Sequence, residues 1–316
     1  MTIIATEAMR LLLLLLFVGV VAVASRHTLE TTNDQEDIFQ GDMRLVPEQW
    51  DALMGGDTGA GAGLRDEKYR WPNATMPYVI DESLKYDWDF KKQWKIAITD
   101  LMTRSCVQIR PKVKSDTWWI NVIQDEGCYS YVGMVKGSKE GNSQPVSLKV
   151  PGCIDKPGVI AHELLHALGF KHEQSRYDRD KYVWINYDNI DDIFKRNFMK
   201  MSVIDVTHQG TRYDYGSVMH YGNSYFSNNG KPTLIATMRG GDEKMGNRER
   251  PTETDMKEVR GLYNCVGEGA AECAICCMSV YETVENYGNS CAEECKCGKS
   301  GKIIKLVNGE TCSCSF

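Results

Sequence analysis

The longest apolar run of the chain lies near its amino terminus, at residues 11–24. Arg10 precedes this run, and Ala22-Val23-Ala24 has the small-residue spacing of a signal-peptide cleavage site. The run is short for a transmembrane helix, and no later segment is apolar enough to span a bilayer. The pattern therefore predicts a signal peptide at residues 1–24, a secreted, extracellular protein and no membrane span.

Shorter apolar segments further along the chain predict both kinds of secondary structure. Residues 76–81, 118–124 and 145–150 are rich in β-branched and aromatic residues and predict strands. A long helix is predicted over residues 87–104 and a second helix over residues 159–168.

The second helix has recognisable start and stop signals. Asp155 is placed to cap its amino-terminal end, and Pro157 suits its first turn. Gly169 follows the apolar run, and glycine readily takes the left-handed conformation that ends a helix. The helix is therefore expected to stop at Gly169.

Three of the six histidines of the chain lie on or just after this helix. His162 and His166 are one turn apart on one face, which is the spacing that two imidazoles need to bind one zinc ion. Glu163 is rotated by about 100° from His162 and so lies beside the metal. His172 would not face the same ion on a continuous helix, but the break at Gly169 lets the chain return. Three imidazoles leave a position open for water, as in catalytic zinc sites.

The positions of the cysteines and of a glycine-rich stretch divide the chain further, and the net charge limits its partners. Of twelve cysteines, four are spread over residues 106–265 and eight are crowded into residues 273–314. Their even number fits the oxidising route that a signal peptide implies. The glycine-rich residues 55–63 predict a hinge or a cleavage linker. A net charge of −6 gives no reason to expect nucleic-acid binding.

The histidine helix and its continuation resemble a known family. The run from His162 to His172 has the metzincin pattern. Glu173 and the following Gln-Ser-Arg-Tyr-Asp-Arg-Asp resemble the signature of the astacin family of secreted zinc endopeptidases, and Ser217-Val-Met-His-Tyr resembles the methionine turn of that family. The resemblance covers residues 69–265. It implies the metzincin fold, an α+β arrangement with a mixed sheet and helices above an active-site cleft.

The resemblance also implies a role for each matching residue. His162, His166 and His172 would bind one Zn²⁺, and Glu163 would activate the zinc-bound water and then protonate the leaving amine. Met219 would form an apolar floor under the metal. Tyr221 would be a resting-state zinc ligand that swings away to donate a hydrogen bond to the oxyanion.

Further assignments follow from the same resemblance. Glu173 occupies the position that, in astacins, reaches the buried amino terminus of the mature enzyme. The residues leave three pairings open for the four middle cysteines, and the family pattern pairs Cys106 with Cys265 and Cys128 with Cys153. Asn73 begins the single glycosylation sequon of the chain, and the sequence does not decide whether it is used.

The region between the signal peptide and the domain resembles an astacin propeptide. Residues 39–42, Phe-Gln-Gly-Asp, are similar to the family motif in which the aspartate occupies the zinc position meant for water. Asp42 would thus be a zinc ligand in the zymogen only. Glu-Lys-Tyr-Arg-Trp-Pro at residues 67–72 is similar to the start of mature meprin-type members. The predicted propeptide therefore spans residues 25–61 and the catalytic domain residues 62–265.

The segment around Arg248 carries an expectation about substrate binding. Met-Gly-Asn-Arg at residues 245–248 resembles the meprin-type segment whose arginine lines the pocket for the residue after the cut, so Arg248 is expected to bind an acidic substrate side chain. The alternative is a surface arginine in a charged loop.

Residues 266–316 are expected to form a small module that depends on its eight cysteines, which are interpreted as disulfides rather than as a metal cluster. That module is either a stabilising appendage or a binding module for substrate, matrix or receptor.

The sequence as a whole predicts a secreted zinc metalloendopeptidase made as a zymogen. Its expected partners are protein or peptide substrates and an activating protease. The alternative is a binding protein or toxin that acts through the cysteine-rich module.

Overall fold

The computed structural model describes residues 38–53, 66–136, 141–201 and 209–265, together with two short strands near the carboxyl end. The predicted signal peptide, the predicted linker at residues 55–63 and nearly all of the eight-cysteine module lie outside the described residues. Residues 38–53 are called the leader segment below. No helix within the described ranges is long and apolar enough to cross a bilayer.

A seven-stranded mixed sheet is the largest element of the fold. Its members are β1 (Ile38–Phe39), β2 (Met43–Arg44), β3 (Thr75–Ile80), β4 (Gln108–Pro111), β5 (Trp119–Ile123), β6 (Cys128–Tyr131) and β7 (Ser143–Leu148). Their order across the sheet is β1-β2-β6-β7-β5-β3-β4. Strands β4, β3, β5 and β7 are parallel, whereas β6 runs antiparallel to β7.

The leader segment extends this sheet at the β6 edge. Strands β1 and β2 form an antiparallel hairpin, and β2 pairs in parallel with β6, where Met43 lies opposite Ser130. The turn of the hairpin contains Gln40, Gly41 and Asp42. The sheet therefore carries the leader segment along its edge and holds the hairpin turn at a defined place.

The described residues form five helices, α1 (Pro47–Leu53), α2 (Glu82–Lys85), α3 (Trp88–Thr103), α4 (Pro157–Ala167) and α5 (Glu253–Leu262). Helices α3 and α4 pack against the sheet and against each other. Asp87 caps α3, since its side chain accepts a hydrogen bond from the Phe90 N–H at 2.7 Å. Nine of the eleven residues of α4 are buried, so this helix lies inside the domain rather than on its surface.

The chain after Gly169 is less regular. A two-stranded antiparallel sheet, β8 (Val183–Ile185) and β9 (Leu234–Ala236), is its main extended element. The remaining described chain has 3-10 turns at Glu173–Ser175, Arg179–Lys181, Tyr187–Asn189, Asp192–Phe198 and Asp242–Lys244. The two strands near the carboxyl end, β10 (Ile304–Lys305) and β11 (Thr311–Cys312), pair antiparallel with each other.

The fold confirms the predicted α+β arrangement and its main elements. Both implied disulfides are formed, Cys106–Cys265 and Cys128–Cys153. The three predicted strands and the predicted long helix match β3, β5, β7 and α3 to within two residues.

The predicted cap of the histidine helix was wrong. Asp155 ends a 3-10 turn at Gly152–Ile154, and its backbone is already helical, so its side chain does not cap α4. Lys156 is the residue before the helix, and no side chain caps it there. Pro157 is the first helical residue, as predicted. A proline at this position has no N–H, so one of the amino-terminal donors that the helix itself cannot satisfy is absent.

Candidate active site

Helix α4 and the turn that follows it bring three imidazoles together. His162 and His166 project from one face of α4, and Gly169 reverses the chain with φ of 106°. His172 then returns, with its ring centroid 5.3 Å from that of His162 and 4.9 Å from that of His166. All three rings are buried. The predicted break at Gly169 is therefore what lets His172 join the other two rings.

The three rings present the same nitrogen to a common point. In each ring Nδ1 faces an oxygen that only accepts hydrogen bonds, so Nδ1 carries the proton and Nε2 keeps its lone pair. These partners are the Val218 carbonyl for His162 at 2.8 Å, the Phe170 carbonyl for His166 at 2.7 Å and the Gln40 side-chain oxygen for His172 at 2.9 Å. Burial lowers the pKa of His162 to about 3 and also lowers that of His172. The rings of His162 and His172 are thus neutral, which is the form that binds a metal.

Asp42 of the leader segment reaches the same point. Its carboxylate oxygens lie 3.1 Å from Nε2 of His162, 3.5 Å from that of His166 and 3.0 Å from that of His172. The four ligand atoms lie within 4.8 Å of one another. Because the Nε2 atoms carry no protons, only lone pairs face the carboxylate, and Oδ1 of Asp42 has no hydrogen-bond donor among the described residues.

This donor set fits a zinc ion. Facing lone pairs without a proton between them repel one another, and a cation placed among them removes the repulsion. Three imidazole nitrogens and one carboxylate oxygen are ordinary ligands of tetrahedral Zn²⁺. The site therefore has the chemistry of a zinc centre whose fourth ligand comes from the leader segment.

Glu163 lies beside this centre without being part of it. The side chain is buried, and its Oε2 has no hydrogen-bond partner in the part of the chain that the structure describes. Burial raises the pKa of Glu163 well above its ordinary value, and the negative charge of Asp42 raises it further. A buried carboxyl with a free oxygen next to a metal position is suited to accepting and donating protons.

The segment from Ser217 to Tyr221 passes under the site. Asp255 holds its start, accepting hydrogen bonds from the Ser217 hydroxyl at 2.5 Å and the Val218 N–H at 3.0 Å. Met219 is buried in the main core. The Tyr221 ring lies 4.7 Å from the His172 ring, and its hydroxyl donates to the Gln40 carbonyl. Tyr221 is thus adjacent to the centre and is engaged by the leader segment.

Glu173 belongs to a buried charged cluster behind the site. One of its oxygens accepts hydrogen bonds from the Asp214 N–H at 2.8 Å and from Arg176 at 3.3 Å. Glu258 lies 3.7 Å from the same guanidinium. Burial raises the pKa of Glu173 well above its ordinary value. The Glu173 N–H donates to the Met219 carbonyl at 3.1 Å, which connects this cluster to the segment under the metal.

Arg248 points inward, unlike its charged neighbours. Its Nη1 donates to the carbonyls of Val218 at 2.8 Å, His220 at 3.1 Å and Asn247 at 2.8 Å. Its guanidinium carbon lies 5.7 Å from the centre of the Tyr225 ring. The neighbouring Glu249 and Arg250 instead form surface ion pairs with Lys156 and Asp100. The guanidinium therefore adjoins the site and is held by main-chain oxygens.

Asn73, the residue that begins the glycosylation sequon, is exposed on a 3-10 turn.

The leader segment covers the site by apolar packing as well as through Asp42. Phe39, Met43 and Leu45 are buried in one cluster with Val132 and Met201 of the domain. Further along the leader segment, Glu48 accepts hydrogen bonds from Lys68 at 2.9 Å and from the Tyr69 hydroxyl at 3.1 Å.

Several residues at the site were missed by the sequence reasoning. Gln40 contacts both His172 and Tyr221, the Val218 carbonyl orients His162, and the Gln174 side chain accepts a hydrogen bond from the Tyr221 N–H at 3.0 Å. Gln40 lies within the Phe-Gln-Gly-Asp motif at residues 39–42, so the motif could have indicated a role for it. A main-chain carbonyl leaves no mark in a sequence.

The chain is similar to several known zinc metalloproteinases. The model of the astacin peptidase family matches residues 63–264. Zinc metalloproteinase nas-13 from Caenorhabditis elegans is 42% identical over 202 residues, which are 64% of this chain and 42% of that protein. The low choriolytic enzyme of Oryzias latipes is 35% identical over 238 residues, which are 74% of this chain and 80% of that protein.

A solved structure is also similar. High choriolytic enzyme 1, a hatching-enzyme zinc protease from the medaka fish Oryzias latipes, matches with a TM-score of 0.56 and 32% identity, over 64% of this chain and 97% of that chain. The chain spans between 34% and 60% of the length of four matching nematode metalloproteinases.

Proposed function

Because the chain belongs to the astacin family of zinc metalloendopeptidases, we propose that it is secreted as an inactive precursor and cuts internal peptide bonds of proteins once the leader is removed. Zinc is the cofactor of this family, and His162, His166 and His172 form its site. The observation that carries the precursor proposal is the Asp42 carboxylate, which lies 3.0–3.5 Å from all three Nε2 atoms. An oxygen at that point excludes both water and a substrate carbonyl.

Zinc, when bound by the three histidines, supplies a Lewis acid that acidifies water and polarises a carbonyl oxygen. Glu163 supplies the proton transfers. Its free carboxyl oxygen takes a proton from the attacking water and returns it to the leaving amine. The Glu163 carboxyl holds the proton between the two steps.

Tyr221 provides a hydrogen bond to the oxyanion. In the precursor its hydroxyl is occupied by the Gln40 carbonyl, and removal of the leader frees it. A phenol held at the edge of a dry site stabilises developing negative charge on a substrate oxygen. We further propose that Tyr221 contacts the metal at rest in the mature enzyme, and that Met219 supports the centre from below.

Activation requires an external protease that cuts near residues 61–63, within the glycine-rich linker. The Glu173 cluster is where the new amino terminus would dock, because an ammonium group can donate hydrogen bonds to its buried carboxyl groups. Secretion is supported by the apolar run after Arg10 and by the two disulfides. For the eight-cysteine module we propose the role of a stabilising or partner-binding appendage.

The deciding experiment compares Glu163→Gln with the unmutated chain, each as full-length precursor and after cleavage of the linker. We expect the unmutated precursor to be inactive and its processed form to degrade a denatured protein. Processed Glu163→Gln should lose about 10²–10⁴-fold in rate, because it lacks the proton carrier. Its zinc content, measured by atomic absorption, should be unchanged. A processed Glu163→Gln enzyme of normal rate would contradict the mechanism, and a fully active precursor would contradict the precursor role.

A further inference from the structure

Gln40 is a leader residue that engages the domain through its whole side chain, which is completely buried. The amide oxygen accepts hydrogen bonds from Nδ1 of His172 and from the Ser175 hydroxyl, each at 2.9 Å. The amide nitrogen donates to the Met199 carbonyl at 3.1 Å. Three hydrogen bonds therefore hold this side chain in one orientation.

The backbone of Gln40 is shaped for the same contacts. Its φ of 54° and the φ of 89° at Gly41 form a left-handed turn, an uncommon conformation for a glutamine. That turn lets the Gln40 carbonyl accept from the Tyr221 hydroxyl while the side chain reaches His172. A single residue thus contacts two groups of the proposed mechanism.

The orienting partners of the three histidines differ in origin. His162 and His166 are oriented by the carbonyls of Val218 and Phe170, which are parts of the domain itself. His172 is oriented by Gln40, which the proposed activation removes. His162 and His166 thus keep their orienting partners after activation, whereas His172 has its partner only in the precursor.

We propose that Gln40 is a positioning residue that fixes the His172 ring for metal binding and so increases zinc retention by the precursor. The inference rests on the proposed function, because it takes residue 40 to lie in a removable propeptide. A hydrogen-bond acceptor on Nδ1 fixes the tautomer and ring orientation of a metal-binding histidine and makes Nε2 a stronger ligand. Loss of such a partner typically lowers metal affinity by about 10–100-fold.

The test uses two substitutions of similar size in the full-length precursor. Gln40→Met removes the acceptor, whereas Gln40→Glu keeps an acceptor for His172 and puts a carboxyl oxygen in place of the N–H group that donates to Met199. Zinc loss to a chromophoric chelator is followed for each precursor. We expect Gln40→Met to bind zinc about 10–100-fold more weakly than the unmutated precursor. Gln40→Glu should hold zinc at least as tightly as the unmutated chain.

Processing provides a matched control. After the linker is cut and the leader removed, all three proteins have the same sequence, so their zinc affinities must become equal. Limited proteolysis of each precursor reports whether the leader is still docked. If Gln40→Met keeps a docked leader and retains zinc like the unmutated precursor, the role of Gln40 is overturned. If its leader is undocked, Gln40→Glu decides: zinc retention supports the role and zinc loss overturns it.

The proposed function fails in a different way. An unmutated precursor that is as active as the processed enzyme would overturn the propeptide assignment whatever the zinc measurements show. Zinc retention that differs between the precursors would still report the contact between residue 40 and His172.

Discussion

Gly158, in the first turn of α4, lies directly against the main chain of Arg248. A Cβ built on Gly158 would be 2.2 Å from the Arg248 carbonyl oxygen and 2.3 Å from its carbonyl carbon. Glycine normally weakens a helix, so its presence here is explained by this close approach. The contact sets the distance between the helix that carries two zinc ligands and the loop that carries Arg248.

Gly158→Ala should therefore displace the Arg248 loop. We expect the free energy of unfolding to fall by about 1–3 kcal/mol, as for other overpacked sites, and activity to fall with it. Urea denaturation and peptide turnover measure the two effects. Gly152→Ala is the matched control, because a Cβ at Gly152 has nothing within 4 Å. Equal stability of the two variants would show that the loop moves freely.

Arg248 should give the enzyme a preference for an acidic residue just after the scissile bond. Its guanidinium lies next to the site, and a carboxylate of the substrate could pair with it. A peptide-library profile of the processed enzyme should show the preference, and Arg248→Ala should abolish it. Because Arg248 also binds three carbonyls, stability has to be measured alongside.

Arg250→Ala is the control for that experiment, since Arg250 forms a surface ion pair with Asp100. Its profile should match that of the unmutated enzyme. A profile without acidic preference, or one that Arg248→Ala leaves unaltered, would remove Arg248 from the substrate pocket.

Asp42→Ala should make the uncut precursor partly active. The three histidines remain to bind zinc, while the position of the carboxylate becomes available to water. We expect hydrolysis of a short peptide by the full-length variant to rise by about tenfold or more, the change that a contact worth about 1.4 kcal/mol produces. Asp51→Ala alters an exposed aspartate of the same leader segment and should leave the precursor silent. A silent Asp42→Ala precursor would mean that packing of the leader, and not its carboxylate, blocks the cleft.

Glu258 should make the stability of the precursor fall as pH rises. Burial raises its pKa from 4.5 to about 8. The charged groups that face it are Arg176, Asp214 and Asp255, and the Thr211 hydroxyl donates to it. Between pH 4.5 and 8 the unfolded chain has lost this proton and the folded chain retains it. The free energy of unfolding therefore decreases with rising pH over that window.

Glu258→Gln removes this titration. Urea denaturation at about pH 5 and about pH 8 should show a smaller decrease for Glu258→Gln than for the unmutated precursor. Glu253→Gln, an exposed position on the same helix, should keep the unmutated pH dependence. A Glu258→Gln precursor with the full decrease would assign the pH dependence to other groups.

Elements whose signals are local were predictable from the sequence. The predicted limits of the long helix, Asp87 and Arg104, are the two capping residues of α3. The break at Gly169 is predictable because, at about 100° per residue, a continuous helix would turn His172 away from the face that carries His162 and His166. The histidine spacing led directly to the cluster that the fold assembles. In each case the decisive residues lie close together along the chain.

Features that depend on distant contacts were not predictable. Gln40 and His172 are 132 positions apart, and their contact depends on β2 pairing with β6. The close approach of Gly158 to Arg248 likewise exists only in the folded domain. The prediction for Asp155 failed although its signal was local. Aspartate is well suited to capping a helix, but Asp155 ends the preceding 3-10 turn and therefore does not cap α4.

The two disulfides are nested, because Cys128–Cys153 lies inside the loop that Cys106–Cys265 closes. A single cut of the backbone between residues 106 and 265 therefore leaves the two fragments covalently joined. A cut between residues 128 and 153 leaves them joined twice. For a peptidase exposed to its own activity, a nick between residues 106 and 265 does not release a fragment, and the nicked protein migrates as one chain until a reductant separates the pieces.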